Sequence, residues 1–90
     1  MPRYLVEQTL AEQLNLPANE ASAQWIATIL SNDALDGVTW LHSYVSADRR
    51  RIYCICEAAS PEAVRRAAHR NHWPVDRITE VRVLDPYFLR

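Results

Sequence analysis

Lysine is absent from this 90-residue chain, whose ten basic residues are all arginine. That excludes Schiff-base catalysis by lysine and a lysine-bearing phosphate loop. A single glycine, Gly37, leaves no means of building a glycine-rich nucleotide loop. No apolar run approaches the roughly 20 residues of a membrane-spanning helix, and "MPRYLVEQTL" lacks the extended apolar region of a secretory signal. A cytoplasmic protein with no membrane partner is expected. Charge of one sign is also lacking: eleven acidic groups against ten basic give −1, too little for a strong nucleic-acid or membrane field.

Cysteine is limited to Cys54 and Cys56, two apart in one predicted strand. Their side chains would stand roughly parallel and about 6–7 Å apart, poorly placed to bridge each other. They read as small buried thiols. What remains, 49% hydrophobic and 23% charged residues, describes one soluble globular domain over residues 1–90.

"RYLVEQ" (3–8) has the content of a strand. In "LPANEASAQWIATILSND", Pro17 suits a first helical turn, and Ala21, Trp25 and Ile29 recur every fourth residue, with Ser22, Ile26 and Leu30 beside them. An amphipathic helix ending near Asp33 is predicted. Gly37 breaks the pattern and opens "VTWLHSYVS"; "SADRR" turns the chain, and "RIYCICEA" (51–58) returns as the second strand of a hairpin. Ser60, Pro61 and Glu62 form a helix start. The helix has Val64, Ala67, Ala68 and Asn71 inside and Arg65, Arg66, His69 and Arg70 outside, and it stops before Pro74. "ITEVRVL" (78–84) alternates as a last strand. The order βαββαβ is the split-βαβ, ferredoxin-like arrangement: α+β, a four-stranded antiparallel sheet with both helices on one face.

Two helices cover one face only, so the other must be polar or buried by a partner. Strict alternation would put Val38, Trp40, His42 and Tyr44 on one side of their strand. A two-residue turn at Asp48 and Arg49 sets Tyr44 across from Tyr53, His42 from Ile55 and Trp40 from Glu57; four-residue turns keep the same faces. Leu41, Ser43, Val45, Ile52, Cys54 and Cys56 then lie under the helices, and Glu57 is kept out of the core. A three-residue turn would instead put His42 opposite Cys54. The aromatic open face predicts a homodimer packed sheet to sheet. "DPYFLR" (85–90) is unassigned and could swap onto a neighbour.

One imidazole with one or two carboxylates suits a borderline divalent metal such as nickel, zinc or copper. The candidate ligands are His42 and Glu57, with Glu7 and Cys54 added according to register. The alternative for the same residues is a hydrogen-bonded His42–Glu57 pair inside a dimer interface. No HExxH, CxxC pair or facial-triad spacing identifies one metal. His69 and His72 form a second i, i+3 pair, which reads first as solvated surface histidines. "RRR" (49–51) reads as a solvated turn.

The strings "MPRYLVE", "GVTWLHSYVS", "SPEA" and "PVDRITEVRVLDPYF", in that order, resemble the domain-of-unknown-function 4242 family of small bacterial proteins over nearly the whole chain. The resemblance implies a ferredoxin-like fold, a homodimer and, for some members, nickel binding linked to metal sequestration. His42, Cys54 and Glu57 match its pattern; Cys56 stands where an aromatic is usual. A glycine usual after the second helix is replaced in "NHWPVD", so Asn71 or His72 must cap that helix, Asn71 being the better left-handed residue. The expected function is a homodimeric, nickel-favouring divalent-metal-binding protein for sequestration or buffering. The alternatives are a small dimeric α+β barrel-type enzyme, an isomerase or cofactor-free oxygenase with His42 as base, and a non-catalytic regulatory or binding module.

Overall fold

The computed structural model describes residues 1–88. Its elements are β1 (Arg3–Thr9), α1 (Glu20–Leu35), β2 (Thr39–Val45), β3 (Arg51–Glu57), α2 (Pro61–Arg70) and β4 (Arg77–Val81). They form one antiparallel sheet in the order β2-β3-β1-β4 with both helices on one face, the predicted ferredoxin-like α+β fold.

Both helices carry their start and stop signals in the sequence. Asn19 caps α1 by accepting from Ser22 N at 2.9 Å, so the helix begins three residues beyond Pro17, which lies outside it. At the other end Val38 N donates to Asp33 O and Gly37 N to Ala34 O, the paired bonds of a Schellman cap. The chain's one glycine sits at the left-handed position of that cap, at φ +69°. α2 starts on Ser60, whose Oγ accepts from Ala63 N. It ends with the same two bonds, Trp73 N to Ala68 O and His72 N to His69 O. There the left-handed residue is His72, at φ +58°, rather than Asn71, which stays right-handed at φ −85°.

Tyr4 and Val6 from β1, Cys56 from β3, Ala63, Val64 and Ala67 from α2, and Val38 and Ala58 form the buried core. It lies under α2. α1 contributes differently: although it is 16 residues long, its one buried residue is Asp33. A polar clasp at the helix ends ties it to α2. Asn32 Nδ2 donates to Asn71 Oδ1 at 2.8 Å, and Asn71 Nδ2 to Asp33 Oδ1 at 2.9 Å. Arg66 and Arg70 flank the Asp36 carboxylate at 3.5 and 3.1 Å. They hold its pKa below the ordinary carboxylate value, the Arg70 hydrogen bond contributing most.

Val45 pairs with Ile52, Tyr44 with Tyr53 and His42 with Ile55, as the hairpin parity predicts. The loop between them closes through Ser46, whose N donates to Arg51 O and whose Oγ accepts from Arg51 N. One residue further back the register slips. Trp40 faces Cys56 and Thr39 faces Glu57, so the expected Trp40–Glu57 pairing is replaced, and Leu41 is the extra residue of a β-bulge. The bulge divides "VTWLHSYV" between two surfaces. Val38 and Trp40 turn to the helices, His42 and Tyr44 to the open face. Leu41, expected under the helices, is exposed.

Candidate functional site

Strand register assembles the open face. β1 lies between β3 and β4 with Leu5 opposite Ile55 and Thr79, Arg3 opposite Glu57 and Val81, and Glu7 opposite Tyr53 and Arg77. The result is an apolar centre, Leu5 and Ile55, with a cross-strand ion pair on each side. Arg3 Nε is 3.6 Å from Glu57, and Arg51 Nη2 is 3.8 Å from Glu7. Arg51 also lies over the Tyr53 ring, 5.5 Å from its centroid. On the β2 edge the His42 ring meets Tyr44 edge to face, with centroids 5.4 Å apart. Tyr44 is 63% exposed, a large aromatic surface in water.

His42, Glu7 and Glu57 therefore share this face, with His42 two strands from Glu7 and a diagonal neighbour of Glu57 through Ile55. Cys54 projects to the other side. Its partner across the hairpin is Ser43, which donates to Cys54 Sγ at 3.1 Å, and Cys54 Sγ in turn donates to Gln8 Oε1 at 3.4 Å. Both cysteines are free thiols. Burial pushes the Cys54 pKa up and that of Cys56 up to about 12, so both are held in the protonated form, which is not the metal ligand.

Imidazole and carboxylate donors fit a borderline divalent ion by chemistry. By number, one chain falls short: among the described residues no three His, Cys, Asp or Glu side chains are grouped so that they could hold a metal. Both carboxylates are already faced by an arginine, at distances beyond a hydrogen bond.

The other sequence candidates resolve individually. His69 is in the last turn of α2 and His72 lies beyond it in a left-handed conformation, which ends the helical i, i+3 relation between them. The three arginines of "RRR" serve separate partners. Arg49 donates to Gln13 Oε1, Arg50 to Ala11 O, and Arg51 faces Glu7. The "DPYF" stretch forms a turn in which Asp85 pairs with Phe88, leaving Tyr87 87% exposed; residues 89 and 90 lie outside the described part.

A cavity of about 140 Å³ lies between the sheet and the helices, lined by Trp25, Trp40 and Trp73 with Asp33 and Cys54 among others. His42 is not in its wall, since it belongs to the opposite face. The pocket between sheet and helices that a His42-based enzyme would use does not include that residue. Sequence spacing gave no sign of the roles of Asp33, Gln8 or Ser43, which depend on tertiary contacts.

Among the described residues no helix is long and apolar enough to cross a membrane. The fold and its bare, aromatic and ionised face define a small ferredoxin-like α+β protein whose sheet is covered on one side only. A family model described as "Nickel responsive protein SCO4226-like" matches residues 4–81, and the chain belongs to that family. The structure is similar to one reported as "Crystal structure analysis of SCO4226 from Streptomyces coelicolor A3(2)". The two chains are 20% identical, the TM-score is 0.73, and 92% of this chain and 99% of the other are covered. At that identity the likeness is one of fold. Among curated proteins, none matches.

Proposed function

We propose that this protein is a cytoplasmic homodimer that binds a divalent transition metal, nickel first, for sequestration or buffering. The observation that carries the reading is the facing of His42, which shares the open sheet surface with Glu7 and Glu57 in a chain of the nickel responsive family. Two chains packed open face to open face would double the donors and cover Tyr44, Leu5 and Ile55. The twofold would also let each arginine of the two ion pairs meet a carboxylate of the other chain. His42 supplies the nitrogen donor, Glu57 and Glu7 the oxygen donors. Cys54, under the helices, would join the set only after deprotonation and a change of facing. The ligands must be unprotonated, so affinity should fall in acid.

Calorimetric titration of nickel into the parent and into His42→Ala tests the ligand assignment; equal binding by both removes His42 from the site. Gel filtration of Tyr44→Glu tests the dimer. A charge in the covered face should give a monomer, and an unchanged elution volume would remove this face from the interface.

A further inference from the structure

We propose that the cavity beneath α1 is a binding site for a small, single-ring aromatic molecule bearing one O–H or N–H donor, a ligand distinct from any metal on the open face. The volume, about 140 Å³, is close to the roughly 150 Å³ of an enclosed apolar cavity known to take up benzene, although this one is partly open to solvent. Its aromatic wall uses all three tryptophans of the chain, Trp25, Trp40 and Trp73. Trp25 and Trp73 stand with centroids 5.4 Å apart and planes tilted by 36°, offering ring faces rather than a closed stack. Trp25 and Ile29 of α1 line the space while remaining only half-buried, so the helix spans the sheet here without filling the gap.

The polar atoms of the floor already serve one another. Trp40 Nε1 donates to Ser43 Oγ at 2.8 Å, Ser43 Oγ to Cys54 Sγ at 3.1 Å, and Cys54 Sγ to Gln8 Oε1 at 3.4 Å. This relay crosses three strands and leaves the floor with little need of a polar ligand. Asp33, in the opposite wall, is the exception. It is 8% exposed and receives one hydrogen bond, from Asn71 Nδ2 to Oδ1, and no other donor among the described residues reaches its carboxylate. Its second oxygen has no protein donor among those residues and is not sealed from solvent, so a donor on a bound ring would take the place of water there, and burial already pushes the carboxyl pKa up. One donor on an otherwise apolar ring would match the site.

Phenol and toluene are the probes: equal in size, they differ in the donor. In ¹H–¹⁵N spectra of the full chain, phenol should shift all three indole N–H signals saturably. Asp33→Asn replaces the free acceptor by a donor and should weaken phenol binding about tenfold or more while leaving toluene within about twofold. Ala68→Phe, which fills the cavity, should abolish the shifts by both; if that variant does not fold, Ile29→Trp serves instead. Absence of saturable indole shifts with either probe, equal loss of both probes in Asp33→Asn, or undiminished binding in the filled variant would overturn the site.

Discussion

Replacing Asn71 by alanine should cost this fold far more than an ordinary residue at a helix end. Asn71 holds the two helices together through two side-chain bonds, accepting from Asn32 at 2.8 Å and donating to Asp33 at 2.9 Å. The second bond is to a buried carboxylate, worth about 1.5–3 kcal/mol, and the first is a neutral pair worth about 1 kcal/mol. Together the loss is about 2.5–4 kcal/mol, against a stability of roughly 5–13 kcal/mol for a domain of this size. In urea, with m of about 1–2 kcal/mol/M, the midpoint should fall by about 1–4 M. Asn32→Ala removes only the neutral pair and should cost about 1 kcal/mol.

The effect should also depend on pH. Burial raises the Asp33 pKa above its ordinary 3.8, and the Asn71 bond opposes that rise. A carboxyl raised in the folded state contributes stability that is fully present below the unfolded value and is lost as pH rises through the folded one. Without Asn71 the folded value climbs further, so the penalty of the substitution should be largest at neutral pH and shrink as Asp33 protonates. Asp36, held low by Arg70 and Arg66, works in the opposite direction: its contribution is present above its unfolded value and disappears as pH falls through the depressed one. A loss below about 0.5 kcal/mol for Asn71→Ala, or one equal at pH 4 and pH 7, would refute the clasp.

Three further outcomes follow from local geometry. His72→Gly should raise stability by about 0.5–1 kcal/mol in thermal unfolding, because His72 bears the left-handed conformation that costs most L-residues about 1–2 kcal/mol; a fall in Tm would mean that its side chain contributes contacts that outweigh this. Deleting Leu41 should leave Trp40 toward the helices and His42 toward the open face, since the bulge residue is the one removed. The Trp40 indole should keep its shielding from iodide, whereas in a regular strand the same deletion would turn one of the two residues over. Cys56, with its pKa pushed up to about 12, should react with a disulfide reagent at pH 8 about a thousandfold more slowly than in urea; comparable rates would contradict its burial.

Much of this was legible in the residues because the signals are local. Gly37, Ser60 and Pro61 mark helix ends by chemistry that requires no tertiary partner, whereas the cue of Pro17 placed the first start too early and passed over the cap at Asn19. Hairpin parity put Tyr44 opposite Tyr53 and His42 opposite Ile55 from the length of one turn. The Leu41 bulge escaped because nothing in a leucine between Trp40 and His42 announces an extra residue; packing of Trp40 beneath the helices selects it. The arginine partners of Glu7 and Glu57 depend on the β1–β3 register, which joins segments more than forty residues apart and leaves no trace in spacing. The cavity is invisible to periodicity for a related reason. An amphipathic pattern says which side of α1 faces inward, not whether Trp25 and Ile29 meet anything there.

The most direct test of the proposed metal face is a substoichiometric titration of paramagnetic nickel followed in ¹H–¹⁵N spectra of the parent chain. Broadening should centre on His42 and spread to Glu57, Ile55, Leu5 and Glu7, while α1 and α2 remain sharp. Broadening centred on His69 and His72, or on Cys54 and the residues beneath the helices, would contradict it.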